Sequence, residues 1–338
     1  MTRMHLVLVL LLTVLVGAGA YAQSSTKTGT SAAAFLKIGV GPRAIGMGGA
    51  FAATADDITA IYWNPSGLAN VFASEAYFNH VYWIADVRYD VAAVSTNIAS
   101  IGTIAVFVDV LSMDDMDVRT IEAPEGTGER FSAGGIVGGL SYARNLTDNF
   151  SIGFTAKYIR ENIWHSSATG FGLDIGTLYK IPILNEFRLA ASISNFGTKM
   201  KMEGRDALQV MQVGGTGGNL INTYVELDEY DLPLVFRVGV AADVIKSESI
   251  RLTAEVDAIH PNDNTEYLNT GLEVGWNDLA FLRAGMKSLF ERDTEQGFTF
   301  GLGISPRLAG SLKVKFDYAY EDFGRLKNVQ YISLGVVF

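Results

Sequence analysis

The sequence predicts an all-β fold, a single transmembrane antiparallel β-barrel of about 14 strands with an N-terminal hatch or plug segment in its lumen. Three observations predict it. Apolar and polar residues alternate with period two in segment after segment, and the connections between those segments alternate short and long. The 338 residues are 49% hydrophobic, yet past the first residues no apolar run is long enough for a spanning helix. Such a helix needs about 20 apolar residues in succession, so this apolar content belongs in a large soluble core or on the lipid face of a closed barrel.

The first element is a leader. Arg3 and His5 precede an apolar run from Leu6 to Val16, and Ala20-Tyr21-Ala22 has the small-x-small form that signal peptidase reads. Residues 1–22 are expected to be a cleaved signal peptide, with the mature chain starting at Gln23. There is no cysteine, so disulfides and thiol chemistry are excluded. A net charge of −10 is the opposite of the basic footprint that nucleic acid selects.

The second element, residues 23–72, is compact and punctuated by glycine. "GVGPRAIGMGGA" leads into "ADDITAIYWNPSGLA" with no strand-like alternation. Gly46, Gly48 and Gly49 can take positive φ and let backbone pack closely. Arg43 can donate to several backbone carbonyls or to a carboxylate such as Asp56 or Asp57, and if buried it needs such a partner. After Trp63, Pro65 directs Asn64 toward an extended conformation, and the Asn side chain can close a local turn. Eight strands already make a barrel that side chains can fill, so about fourteen leave a lumen that something else must occupy. Residues 23–72 are expected to occupy it. "GVGPRA" formally satisfies the G-x-G-x-x-A dinucleotide pattern, but Pro42 and the following glycines give no strand before it and no βαβ unit around it.

The third element, residues 73–338, is expected to be the barrel. In "RLTAEVDA", Leu252, Ala254, Val256 and Ala258 take one face and Arg251, Thr253, Glu255 and Asp257 the other. "LKVKFDYAY" repeats the pattern, and twelve further segments follow it, from "YFNHVYW" and "RYDVAAVSTNI" to "FTFGLGIS" and "YISLGVVF". Fourteen is an even number, as bacterial single-chain barrels have. "ASIG", "RNLTDN", "IPILNE", "IKSES" and "WND" are short links. Leu111 to Phe131, "ENIWHSSA", Gly197 to Pro233, "HPNDNTE" and "FERDTEQ" are longer ones, and the link at Ile84 to Asp86 is short where a long one is due. A β-sandwich gives no reason for such alternation. Short turns face the periplasm in outer-membrane barrels, and the parity places both chain termini there.

Ile332, Leu334, Val336 and Phe338 form an apolar stripe ending in a C-terminal aromatic. It resembles the signal that outer-membrane barrels present to their assembly machinery. No catalytic constellation accompanies it. His80, His165 and His260 fall at separate strand ends or loops, without a neighbour at metal-ligand spacing. "DAIHPNDN" offers oxygen atoms but lacks the glycine turn and closing glutamate of a calcium loop, and reads as a solvated outer loop. The acid-rich stretches Met113 to Glu129 and Glu226 to Asp231 read likewise as solvated loops. No enzymatic activity, cofactor or metal is expected.

"GPRAIGMGGAFAATADDITAIYWNPSGLA", Gly41 to Ala69, resembles the N-terminal signature of FadL-like outer-membrane proteins, most closely their PorV/PorQ branch. In FadL-type transporters the corresponding segment forms a hatch inside a fourteen-stranded barrel and ends in Asn-Pro-Ala. Here the motif reads Asn64-Pro65-Ser66, departing at its third position. The branch implies a partner of type IX secretion, which receives cargo proteins from the translocon and passes them to the attachment machinery. The wider group implies a diffusion channel for hydrophobic small molecules such as long-chain fatty acids. Either role implies outer-membrane lipid and the barrel-assembly machinery as partners. The long link from Gly197 to Pro233, where Met, Leu and Val mix with charges, suits a protein-docking surface or a ligand-capture lid.

Overall fold

A computed structural model describes residues 27–182, 187–214, 217–291, 294–308 and 312–338. The expected signal peptide lies outside the described residues, as do parts of "IPILNE" and "FERDTEQ".

Fourteen strands form the wall: β1 (Glu75–Tyr82), β2 (Arg88–Ile98), β3 (Gly102–Ser112), β4 (Ala133–Thr147), β5 (Phe150–Ile163), β6 (Ser166–Ile181) and β7 (Phe187–Gly197). They continue as β8 (Val235–Lys246), β9 (Ile250–Pro261), β10 (Tyr267–Trp276), β11 (Ala280–Leu289), β12 (Phe298–Ile304), β13 (Lys313–Asp322) and β14 (Asn328–Val337). Each pairs antiparallel with its neighbours in sequence, and β1 pairs β14 from Glu75↔Val337 to Tyr82↔Gln330. The sheet is thereby closed and its backbone hydrogen bonds are satisfied without an edge, as hydrocarbon surroundings demand.

The alternation read in the sequence is the alternation of lumen and outer face. Thr253, Glu255 and Asp257 are buried, while Val256 between them is 41% exposed. The outer face carries Phe78, Val106, Leu140, Phe154, Leu272, Leu302 and Phe316, the apolar band that lipid requires. Leu334 and Phe338 of the terminal stripe share this face. Phe338 exchanges two backbone hydrogen bonds with Ser74, which tie the C-terminus to the start of the barrel.

Connections 83–87, 113–132, 198–234 and 262–266 lie at one end of the barrel, here the loop end, and 99–101, 148–149, 247–249 and 277–279 at the other, the turn end. The "ENIWHSSA" link is shorter than expected. β5 and β6 run on to Ile163 and Ser166, leaving only Trp164 and His165 as the turn, with Trp164 at φ 51°. The polar residues there stay in ladder register, which polarity alone does not reveal. The link at Ile84–Asp86 is a single 3-10 turn, short as read.

Residues 33–71 precede the wall and are buried almost throughout. They form short helical turns at Ala34–Lys37, Pro42–Gly46, Ala60–Trp63 and Pro65–Asn70. The path begins at the loop end, where Ser31 and Lys37 bond the Asp263 carboxylate at 2.8 and 2.7 Å and Ala32 donates to the Asp231 carbonyl. It finishes at the turn end, where Thr103 and Asn145 donate to the Val71 and Ala69 carbonyls. The expectation that both termini lie on one side therefore holds for the barrel strands but not for the start of the described chain. Strand parity cannot count a segment that crosses the barrel's length without being a strand. The reading of "DAIHPNDN" as a solvated loop is corrected as well, because Asp257 and Asp263 are buried against this segment.

Candidate functional site

The N-terminal segment meets the wall through three sets of contacts. The first centres on Arg43, in the turn Pro42–Gly46 that Pro42 opens. Arg43 Nη1 lies 2.5 Å from Asp56 Oδ1 and 2.9 Å from Asp57 Oδ2. Its Nε and Nη2 reach the two oxygens of Glu273 on β10 at 2.9 and 3.1 Å. Glu273 also accepts from Arg283 Nε on β11 at 2.7 Å, and Arg283 Nη1 donates to Asp317 on β13 at 2.6 Å. A chain of alternating charge thus joins the segment to β10, β11 and β13. Burial would lower the Arg43 pKa and raise that of Asp57. The carboxylates around Arg43 outweigh the first effect and hold it well above its ordinary value. The nearby Arg43 and Lys315 cations outweigh the second and hold Asp57 below its own.

The second set is a row of backbone amides. Phe51 and Ala52 donate to Asp257 Oδ2, both at 3.0 Å, and Ala53 and Thr54 donate to Glu255 at 2.6 and 3.0 Å. Two carboxylates on one face of β9 so satisfy four successive N–H groups that a helical interior would otherwise pair. Nearby, Gly48 (φ 68°) donates to Thr299 Oγ1 and the Gly49 carbonyl accepts from Asn269. A β-carbon on Gly46 would run into the backbone of Gly301 on β12, and one on Gly48 into Met286 and Thr270.

The third set is Asn64-Pro65-Ser66. Asn64 is extended (φ −159°, ψ 101°) and wholly buried. Its Oδ1 accepts from Ser66 N and Oγ at 3.2 and 2.7 Å, and its Nδ2 donates to the carbonyls of Ala52 and Thr177 at 2.8 and 3.1 Å. The serine that departs from the Asn-Pro-Ala pattern therefore adds a hydrogen bond to the turn. Trp63 donates to the Val40 carbonyl at 2.8 Å, and Arg237 of β8 lies over its ring at 5.4 Å from the centroid.

Of the hatch residues expected from the sequence, Arg43, Gly46, Gly48, Gly49, Trp63, Asn64 and Pro65 meet the wall directly, while Asp56 and Asp57 bond Arg43 within the segment. The wall side of these contacts was missed. Glu255, Glu273, Arg283, Asn269 and Thr299 supply the partners, and Gly153, Gly176, Gly271, Gly285 and Gly301 supply the room. Those glycines stand inside strands, where a missing side chain marks a close backbone approach. That signal was available to the sequence reading.

Between the segment and β2, β3 and β5 lies a cavity of about 20 Å³, lined by Leu36, Val40, Tyr62, Val91, Asp109 and Lys157. This volume accommodates about one water molecule. At the loop end a more open groove of about 450 Å³ runs between Val118, Phe131, Trp164, Met202 and Asp206. Beside it, the hairpin of Leu208–Val213 and Asn219–Tyr224 exposes Val210, Leu220 and Tyr224. His80, His165 and His260 each pair with a different carboxylate, Asp90, Asp206 and Glu266, and lie apart. Among the described residues no group of three or more His, Asp or Glu side chains could hold a metal ion.

The model of the type IX secretion system protein PorV matches residues 21–259 of this chain. The chain belongs to the PorV family. This PorV-family barrel is also similar in fold to a solved CymD monoaromatic hydrocarbon channel, at TM-score 0.57 and 12% identity over 89% of this chain and 97% of that one. It is similar to the toluene transporters TodX of Pseudomonas putida (TM-score 0.56, 10% identity) and TbuX of Ralstonia pickettii (0.52, 11%), each over 88% of this chain and 97% of the other. At such identities the likeness concerns the fold, a closed 14-strand outer-membrane barrel. No curated protein matches the chain.

Proposed function

We propose that this PorV-family barrel serves type IX protein secretion as an outer-membrane partner that receives cargo and hands it on, its lumen plugged by residues 33–71. The observation that carries this reading is the apolar surface displayed at the loop end, on the hairpin that exposes Val210, Leu220 and Tyr224. The segment fixed by Arg43, Asn64 and four capped amides, beside a cavity of about 20 Å³, fits this reading and equally a FadL-type hatch. Exposed apolar patches of this kind mark interaction sites. A folded protein partner suits such a surface better than a small lipophile, which needs an enclosed pocket.

The competing reading is a FadL-like channel for hydrophobic small molecules, and one experiment separates the two. Native mass spectrometry of barrels solubilised gently from the outer membrane should show a large translocon subunit or a secreted cargo protein bound. A fatty-acid-like or aromatic molecule retained inside an otherwise solitary barrel would favour the channel. Finding neither would leave both without support.

A further inference from the structure

We infer that the boundary between the N-terminal segment and the inner faces of β1, β2 and β3 is a seam that seats ordered water, whereas its boundary with β7 to β12 is closed mainly by direct hydrogen bonds. The contrast lies in the partners of buried polar groups. On the β9, β10 and β12 side, amides of Gly48, Phe51, Ala52, Ala53 and Thr54 all find side-chain acceptors on the wall. Strand glycines there bring the two backbones into contact.

On the β1–β3 side the same segment presents Leu36, Val40 and Tyr62, and the Tyr62 hydroxyl and the Leu36 and Val40 carbonyls are already bonded within the segment. The wall opposite carries polar atoms without partners, although nearer the turn end Thr103 of β3 bonds the Val71 carbonyl. Asn79 and Ser95 are 0% and 1% exposed, yet Asn79 Nδ2, Asn79 Oδ1 and Ser95 Oγ have no hydrogen-bond partner among the described residues. Asp109 is 5% exposed; its Oδ2 accepts from Tyr89 at a long 3.3 Å and its Oδ1 accepts nothing. Asn79, Val91 and Asp109 are register partners across three adjacent strands, so Asn79 and Asp109 share one row, while Ser95, opposite Glu75, lies on the same face of β2 nearer the turn end. Val91 and Asp109 line the 20 Å³ cavity.

A buried amide, hydroxyl or carboxylate without a partner is costly, and native interiors answer such groups with protein or with water. A cavity of this size with a carboxylate oxygen facing it admits one water, and the register row extends the same demand to Asn79. Elsewhere among the described residues the atoms left over on Asp257, Arg188 and Arg251 belong to side chains held through another atom, and Ser305 Oγ, after β12, is a single further case without a partner. The ligand assigned to the seam is water, or a solute of water's size.

The chain has no cysteine, which permits a direct test with Ag⁺, a thiol-reactive ion of comparable size. Single variants Asn79→Cys, Ser95→Cys and Asp109→Cys probe the seam, and Thr299→Cys on β12 and Ser192→Cys on β7, whose hydroxyls donate to the Gly46 and Trp63 carbonyls of the segment, probe the bonded side. Only barrels that retain heat-modifiability are assayed, and the serine-to-cysteine pair carries the comparison if Asp109→Cys fails to assemble. The seam thiols should be titrated by Ag⁺ at least about ten-fold faster than the other two. Uniform protection at every position would overturn the inference, and so would uniform reactivity.

Discussion

Arg43 grips Glu273 through two nitrogens, at 2.9 and 3.1 Å, across 230 residues of chain. The same guanidinium holds Asp56 and Asp57, so one side chain ties the segment's two limbs to each other and to β10. Breaking a largely buried ion pair by removing one partner costs about 3–5 kcal/mol, because the other charge is left behind. Arg43→Ala should therefore free the segment, while the wall closes on its own hydrogen bonds. Planar-bilayer recordings should show higher conductance with unchanged heat-modifiability; an unaltered conductance would mean that the segment is held without this node.

Asn64 spends its whole side chain on the turn and on Ala52 and Thr177. Asn64→Ala combined with Pro65→Ala should cost about 2–4 kcal/mol, from stranded buried partners and the lost restraint of proline. Raised antibiotic sensitivity in cells and raised conductance are the expected readouts, again with heat-modifiability retained. Wild-type values in both would separate the motif from closure of the lumen.

Two strand glycines offer an internal comparison. Gly153→Ala would drive a methyl group into the backbone of Pro65, whereas Gly138→Ala meets open space. Overpacking of this kind costs about 1–3 kcal/mol. Limited proteolysis of isolated outer membranes should cut the segment of the Gly153 variant at least several-fold faster than that of the Gly138 variant. Equal rates would count against close seating of the segment.

Acid should loosen the segment before it harms the wall. Asp57 has its pKa held down in the folded state by Arg43 and Lys315. A depressed folded-state value stabilises above the ordinary carboxyl pKa of about 4, and that stabilisation is lost as pH falls through the folded-state value. Protease accessibility of the segment should rise reversibly below about pH 4, and Asp57→Asn should show the raised level already at neutral pH. A variant with the wild-type acid response would remove Asp57 from the explanation.

The terminal stripe concerns biogenesis rather than closure. Ile332, Leu334, Val336 and Phe338 face outward at the β1–β14 junction. Deleting Phe338 should lower the amount of assembled, heat-modifiable barrel in the outer-membrane fraction. Unchanged amounts would deny the stripe its role as an assembly signal.

The wall was legible in the sequence because alternation with period two has a single cause, one face in lipid and one in the lumen. That is why Val256 points out and Glu255 and Asp257 point in, as the pattern of "RLTAEVDA" requires. The partners of the segment were less legible. Asp56 and Asp57 lie close to Arg43 in sequence and could be proposed from proximity, but Glu273 is an unremarkable lumen-side acid until the barrel curls round. Asp263 looked like a loop acid because the sequence shows polarity and not what a crossing segment covers. Ladder register hid the tight turn at Trp164 for a similar reason.

The route of residues 31–71, from the loop end to the turn end before β1 begins, has a consequence for the order of events in biogenesis. These residues precede β1, their contacts run along the lumen side of the wall, and the ring closes where β1 meets β14. Threading them through a finished ring would require stripping Arg43 and its carboxylates of water one at a time inside a narrow bore. Coiling the ring around a core already in place avoids that barrier. A ring closed in that order would hold residues 31–71 in place through its β1–β14 seam, as a latch does.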